Sequence, residues 1–174
     1  EYERYLNSKK DFYTYLDDNI KDRLVIRPPQ IVVTNNTLGE LRQWSGQSLS
    51  LSSEQKTTGQ YAMKVKLLPG RRYVGFTFKH FPSNWQGYKY LLFSLYNPDK
   101  TTIKISVKIT DYKHDRYIQR YSSRYNKQIK LQSDWNHFKI PLEEIINSPK
   151  RRKMDISNIS QIGFFISKLQ ENKA

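Results

Sequence analysis

The chain has 174 residues and a formal net charge of +14, with 13 Tyr, 3 Trp and no Cys. That aromatic content excludes a disordered chain, and the lack of Cys excludes disulfides, thiolate metal sites and a Cys nucleophile. No apolar run approaches the roughly 18 residues of a membrane span.

Residues 1–30 hold six acids and six bases, so the excess of 24 bases over 10 acids lies in residues 31–174. A field of that size attracts polyanions such as nucleic acid, anionic lipid or acidic polysaccharide. The first residue is Glu1 rather than Met, which reads as a processed or excised form.

Tyr5, Phe12, Leu16, Ile20 and Leu24 fall at loosely helical spacing. They predict a partly helical extension or linker over residues 1–30, closed by Pro28-Pro29, which cannot continue a helix. From Ile31 the period changes to two. Ile31–Val33 predicts a short strand, LGELRQW a connection, and SLSLS a strand with Leu49 and Leu51 on one face. YAMKVKLL places Tyr61, Met63, Val65 and Leu67 opposite Lys64 and Lys66. RRYVGFTF and YLLFSLYN are the next strands, the second ended by Pro98-Asp99. In TTIKISVKIT, Ile103, Ile105, Val107 and Ile109 oppose Lys104, Ser106 and Lys108. YNKQIKL, HFKIPL and QIGFFIS follow, with one helical turn at EEIINS. Short amphipathic strands separated by turns predict an all-β, two-sheet antiparallel sandwich over residues 31–174.

Six pieces then stand in one order: W-x-G-Y (Trp85, Gly87, Tyr88), Y-N-P-D (Tyr96–Asp99), D-x-x-H (Asp111–His114), R-Y-N (Arg124–Asn126), W-N-x-x-x-I-P-L (Trp135–Leu142) and R-x-M-D-I (Arg152–Ile156). The order resembles the jelly-roll domains of the galactose-binding-like superfamily, and more narrowly the carbohydrate-binding-module-like domains of bacterial envelope and secreted proteins. The resemblance implies a jelly-roll β-sandwich and a non-catalytic role. It also implies a closing strand of the type Y-L-D-D-I-x-L, where this chain ends in LQENKA. The N-terminal extension is one candidate to cover the edge so left.

The stretch DYKHDRYIQRYSSRYN admits several chemistries. His114 beside Asp111 or Asp115 is a weak general-base signal, because no nucleophile elbow or paired-carboxylate motif accompanies it. Three His in the chain do not make a zinc site. Interleaved Arg and Tyr could hold phosphate and stack bases, yet no RNA-binding motif is present, and nucleic acid is not the expected partner. A sugar site uses the same residue types, with aromatic rings against the C–H face of a pyranose and polar groups on its hydroxyls.

On that reading the ligand contacts are Trp85, Tyr88, Asp111, His114, Tyr117, Arg120, Arg124 and Asn126, with Trp85 read equally as a stacking platform or a hydrophobic plug. Asp111 is in phase with Ile109 and so points inward, where an unpaired carboxylate is costly. Arg124 is its expected partner, either as a structural clamp or as a shared ligand contact. Trp135 reads as core, and Trp44 as packing over one edge. Lys104, Lys108, Lys130, Arg151 and Arg152 supply long-range attraction. Arg71 and Arg72, with the KRRK run, are candidate holders of phosphate or uronate. No cofactor is expected. A structural calcium, which the resembled fold often carries, would draw on Glu40 and Glu54.

The predicted function is binding of a glycan, expected to be an anionic or cell-envelope polysaccharide. The compartment would be the envelope or outside the cell, with an upstream membrane or catalytic domain as partner. Two rivals are a protein-interaction or assembly domain on the same fold, and a general binder of nucleic acid or anionic lipid.

Overall fold

The computed structural model describes residues 49–57, 61–67, 73–79 and 81–166, and the backbone alone of 25–26 and 44–46. The expected helical lead-in over residues 1–24, the Ile31–Val33 strand, Glu40, Arg71, Arg72, His80 and the side chain of Trp44 lie outside the described residues.

Among the described residues, ten strands and two short helices follow in chain order: β1 (Val25–Ile26), β2 (Trp44–Gly46), β3 (Leu49–Ser52), β4 (Ala62–Val65), β5 (Val74–Phe78), β6 (Tyr90–Asn97), β7 (Ile103–Asp111), α1 (Tyr112–Arg116), β8 (Tyr125–Leu131), β9 (Asp134–Pro141), α2 (Leu142–Asn147) and β10 (Ile159–Ile166). A 3₁₀ turn, Tyr121–Ser123, leads into β8. A five-stranded antiparallel sheet runs β2-β5-β10-β7-β8, and a second sheet runs β1-β6-β9. β3 and β4 form a separate hairpin. β1, from within the extension, pairs parallel with β6 over Val25↔Tyr90 and Ile26↔Leu91.

The alternating sequence makes the sandwich. On β7 the β-branched Ile105, Val107 and Ile109 face inward, while Lys104, Ser106 and Lys108 face out. Leu91, Phe93 and Ile140 of the small sheet meet Phe78, Val107, Ile162 and Phe164 of the large one in a single buried cluster. Phe93 and Phe164 touch across the layers, edge to face, at 5.2 Å. Each fully buried side chain of this kind contributes roughly 1.5–3 kcal/mol. This is the expected jelly-roll β-sandwich.

Of two tryptophans, Trp85 takes the plug reading over the stacking one, and Trp135 departs from expectation. Trp85 is fully buried. Its backbone N–H donates to Ile156 O at 2.7 Å, its indole Nε1 donates to Pro82 O at 3.0 Å, and Phe81 lies 5.8 Å away. It plugs the core and cannot stack on an external ligand. Trp135, expected in the core, is half-buried on the outer face of the small sheet, beside Tyr96 at 5.3 Å and parallel to His137 at 6.3 Å. The strand phase decides this: Phe138 and Ile140 face inward, so Trp135 and His137 face out.

Candidate functional site

At the end of β7 the inward phase brings Asp111 to full burial. Its partner is Arg152, which corrects the expectation of Arg124. Arg152 Nη2 donates to Asp111 Oδ1 at 2.7 Å and Nη1 donates to Oδ2. The backbone N–H groups of His114 (2.9 Å) and Asp155 (2.8 Å) donate to the same carboxylate. Arg152 also donates to Ser123 Oγ at 3.1 Å and Ser123 O at 2.7 Å. The pair therefore ties β7, the 3₁₀ turn and the 150–155 loop together. Burial acts to raise the Asp111 carboxyl, but Arg152 and the two N–H donors outweigh it and hold it below the usual carboxylate range.

Asp111 and Arg152 are thus structural: the first is no ligand contact and the second no free surface cation. His114, expected to be exposed, is buried. Burial pushes its imidazole below its ordinary pKa, and the charges of Arg124 and Lys108 add to that, against Asp115 and Asp111. Asp115 anchors α1 to β10 by accepting from Ser160 Oγ at 2.6 Å and Gln161 Nε2 at 3.2 Å.

The opening that remains lies on the outer face of the five-stranded sheet. Register builds it in rows. Lys104 sits across from Lys130, Ser106 from Gln128 and Lys108 from Asn126. On the other side of β7, Ser106 neighbours Phe165 and Lys108 neighbours Gly163. Next come Gly75 and Thr77 of β5. The three expected lysines therefore share one face.

A cleft of about 360 Å³ opens here, lined by Tyr73, Ser106, Tyr121, Asn126, Lys127, Gln128 and Phe165. Tyr73 and Tyr121 stand exposed at its margin, 59% and 70% accessible. Tyr73 rests edge-on against Phe165 at 5.9 Å. Tyr121 is held from behind: the Arg124 guanidinium lies 5.1 Å from its ring centre, and Asn126 Nδ2 donates to its carbonyl at 3.2 Å. Among the described residues no carboxylate lines the cleft. Glu144 receives Lys127 Nζ at 3.0 Å and Tyr125 Oη at 2.8 Å, so Lys127 is neutralised in place.

Of the sequence-predicted contacts, Asn126 lines this cleft and Arg124 supports its wall. Tyr117 and Arg120 are exposed but lie outside the lining, Tyr117 edge-on to Tyr112 at 6.3 Å. Tyr88 is half-buried against the core. Arg151 is exposed. Glu54 pairs with Lys64 at 3.6 Å, and among the described residues no three His, Asp or Glu converge as a metal site would require. Sequence reading missed Tyr73, Ser106, Tyr121, Lys127, Gln128 and Phe165 as contacts. The available signals were the polar alternation Asn126–Gln128–Lys130 and the glycines inside β5 and β10, which mark strands stripped of side chains.

The model of a family described as carbohydrate binding domain 30 matches residues 30–174. Among solved structures, the chain is similar to a family 11 carbohydrate-binding module from Clostridium thermocellum in complex with a β-1,3-1,4-mixed-linked tetrasaccharide. The TM-score is 0.57 at 15% identity, over 78% of this chain and 84% of that one. It is also similar to the family 11 module of the cellulosomal cellulase Lic26A-Cel5E of Clostridium thermocellum, with TM-score 0.50 at 15% identity over 72% and 79%. At these identities the likeness is one of fold. No curated protein matches the chain.

Proposed function

The chain belongs to the carbohydrate binding domain 30 family, and from that membership we propose that it holds a polysaccharide in the cleft between Tyr73 and Tyr121. Carbohydrate-binding modules as a class are non-catalytic, so the work of this site is capture. The observation that carries the reading is the composition of the cleft: two exposed tyrosine rings over a floor of Phe165, Ser106, Asn126 and Gln128. Rings take the C–H face of a pyranose, and the amides and hydroxyl take its oxygens.

The lysines on the same face draw in a negatively charged polymer over distances of about a Debye length, so the proposed ligand is an anionic polysaccharide. The proposed setting is outside the cytoplasm, where the domain raises the local concentration of whatever it is joined to on that polymer.

The test is calorimetric titration of soluble polysaccharides, charged and neutral, into the wild type and Tyr121→Ala. Affinity about tenfold or more weaker in Tyr121→Ala, with an unchanged melting temperature, supports the reading. Glycan binding that is indifferent to Tyr121 overturns it. The electrostatic rival has its own support in the shared face of Lys104, Lys108 and Lys130. It predicts equal binding of every polyanion and collapse of all of it with salt.

A further inference from the structure

Lys108 and Arg124 stand beside the cleft floor with no ion pair among the described residues. Both are half-buried. Among the described residues neither side chain has an ion pair or a hydrogen bond; the Arg124 guanidinium lies over the Tyr121 ring, and Tyr73 also acts on it. Lys108 lies directly across from Asn126, one row from Ser106 of the lining. Its stem lies over Gly163: a Cβ on that glycine would meet Lys108 Cε at 3.3 Å and Thr77 Oγ1 at 3.5 Å. The missing side chain lets the lysine lie along the sheet toward β5 instead of standing into solvent.

Buried cations without a partner are costly, and proteins leave few of them. Here burial disfavours the charge of both, and the Arg124 charge further disfavours that of Lys108, against the pull of Asp115. Of the nearby acids two are ion-paired, while the third, Asp115, is held by neutral donors and its charge still acts on Lys108. Asp111 is bound by Arg152, Asp115 by Ser160 and Gln161, and Glu144 by Lys127. Arg124 Nε and Asn126 Oδ1 are buried and have no hydrogen-bond partner among the described residues, one a donor and one an acceptor.

We infer that Lys108 and Arg124 form a subsite for one acidic group, a carboxylate or sulfate, of a saccharide whose ring lies in the cleft. This rests on the proposed reading of the cleft and sharpens it from general attraction by a basic surface to recognition of a placed oxyanion. An arginine–lysine pair beside an aromatic wall suits this task, because the guanidinium offers a planar fork and the ammonium a point charge.

Matched polymers test it. Each of pectate, alginate and a sulfated galactan is paired with its carboxyl-reduced or desulfated form, which keeps the linkage and loses the charge. Binding is measured at one fixed ionic strength in the wild type, Lys108→Met, Lys104→Met and Tyr121→Ala. The expected result is that at least one charged polymer binds about tenfold or more tighter than its neutral form. Lys108→Met then removes that preference while leaving neutral binding in place, and Lys104→Met changes the preference by less than about twofold. Equal loss in both lysine variants assigns the preference to net charge and overturns the subsite. A wild type that binds neutral and charged forms alike also overturns it, with the cleft reading intact if Tyr121→Ala still weakens both. Binding that Tyr121→Ala leaves untouched, or absent for every polymer, overturns subsite and cleft together.

Discussion

Asp111 and Arg152, 41 residues apart in sequence, meet as a two-pronged ion pair with the Asp111 side chain fully buried and Arg152 nearly so. Breaking such a pair from one side leaves a charge in the interior, a loss of about 3–5 kcal/mol. Arg152→Ala is therefore expected to lose about that much stability in urea denaturation. Arg124→Ala gives up mainly a ring contact worth about 0.5–1 kcal/mol. The opposite ranking of the two variants would return Arg124 to the role of clamp.

Acid should unfold the domain in two stages. His114 is depressed by burial, so the unfolded chain takes up its proton first, and stability falls as pH drops below about 6.5. Asp111 and Asp155 are also depressed in the fold, Asp155 mainly by Ser157. Their contribution is complete above about pH 4 and is lost as pH falls through their lower folded values. Denaturation midpoints at pH 7, 5.5, 4 and 3 should trace both limbs. Asp111→Asn should flatten only the second.

Much of this was legible in the sequence, and the failures have physical causes. The strand YNKQIKL is β8 residue for residue, because alternation sets both the element and its faces. The inward aim of Asp111 followed from the phase of β7. Its partner did not: Arg124 and Arg152 both leave loops at the same end of the sandwich, and the choice depends on the path of the 148–158 loop, which has no period. Trp135 was misplaced although its phase against Phe138 was readable, because its apolar character outweighed the pattern. The cleft needs Phe165 of β10 beside Ser106 of β7 and Tyr73 next to β5, neighbours that arise only from the non-consecutive order β5-β10-β7-β8.

Trp85 and Tyr121 separate core from site. Trp85→Ala empties a fully buried position and should lose about 3–5 kcal/mol of stability. Any loss of glycan binding it causes should track the unfolded fraction. Tyr121→Ala removes an exposed ring and should keep the melting temperature within about 2 °C, since its burial is slight. Thermal melts run alongside binding isotherms check the division. A stable Trp85→Ala with specifically lost affinity would contradict it.

The two glycines on the cleft face should respond differently to the same added methyl. At Gly75 a Cβ would sit 1.9 Å from Phe164 O and 2.6 Å from Phe165 Cα, both backbone atoms of the adjacent strand. β5 and β10 must then separate, so Gly75→Ala should lose at least about 2 kcal/mol and melt well below the wild type. At Gly163 the nearest atom is Lys108 Cε at 3.3 Å, part of a flexible stem. Gly163→Ala should therefore keep its stability within about 1 kcal/mol, because the lysine can swing aside. That swing lifts the ammonium off the sheet and away from Arg124. Gly163→Ala should accordingly bind neutral glycan as the wild type does and lose preference for the charged form. Equal melting temperatures for the two variants would mean that β5 and β10 are not in the close contact seen here. An unchanged charge preference in Gly163→Ala would mean that the lie of Lys108 along the sheet does not set its reach.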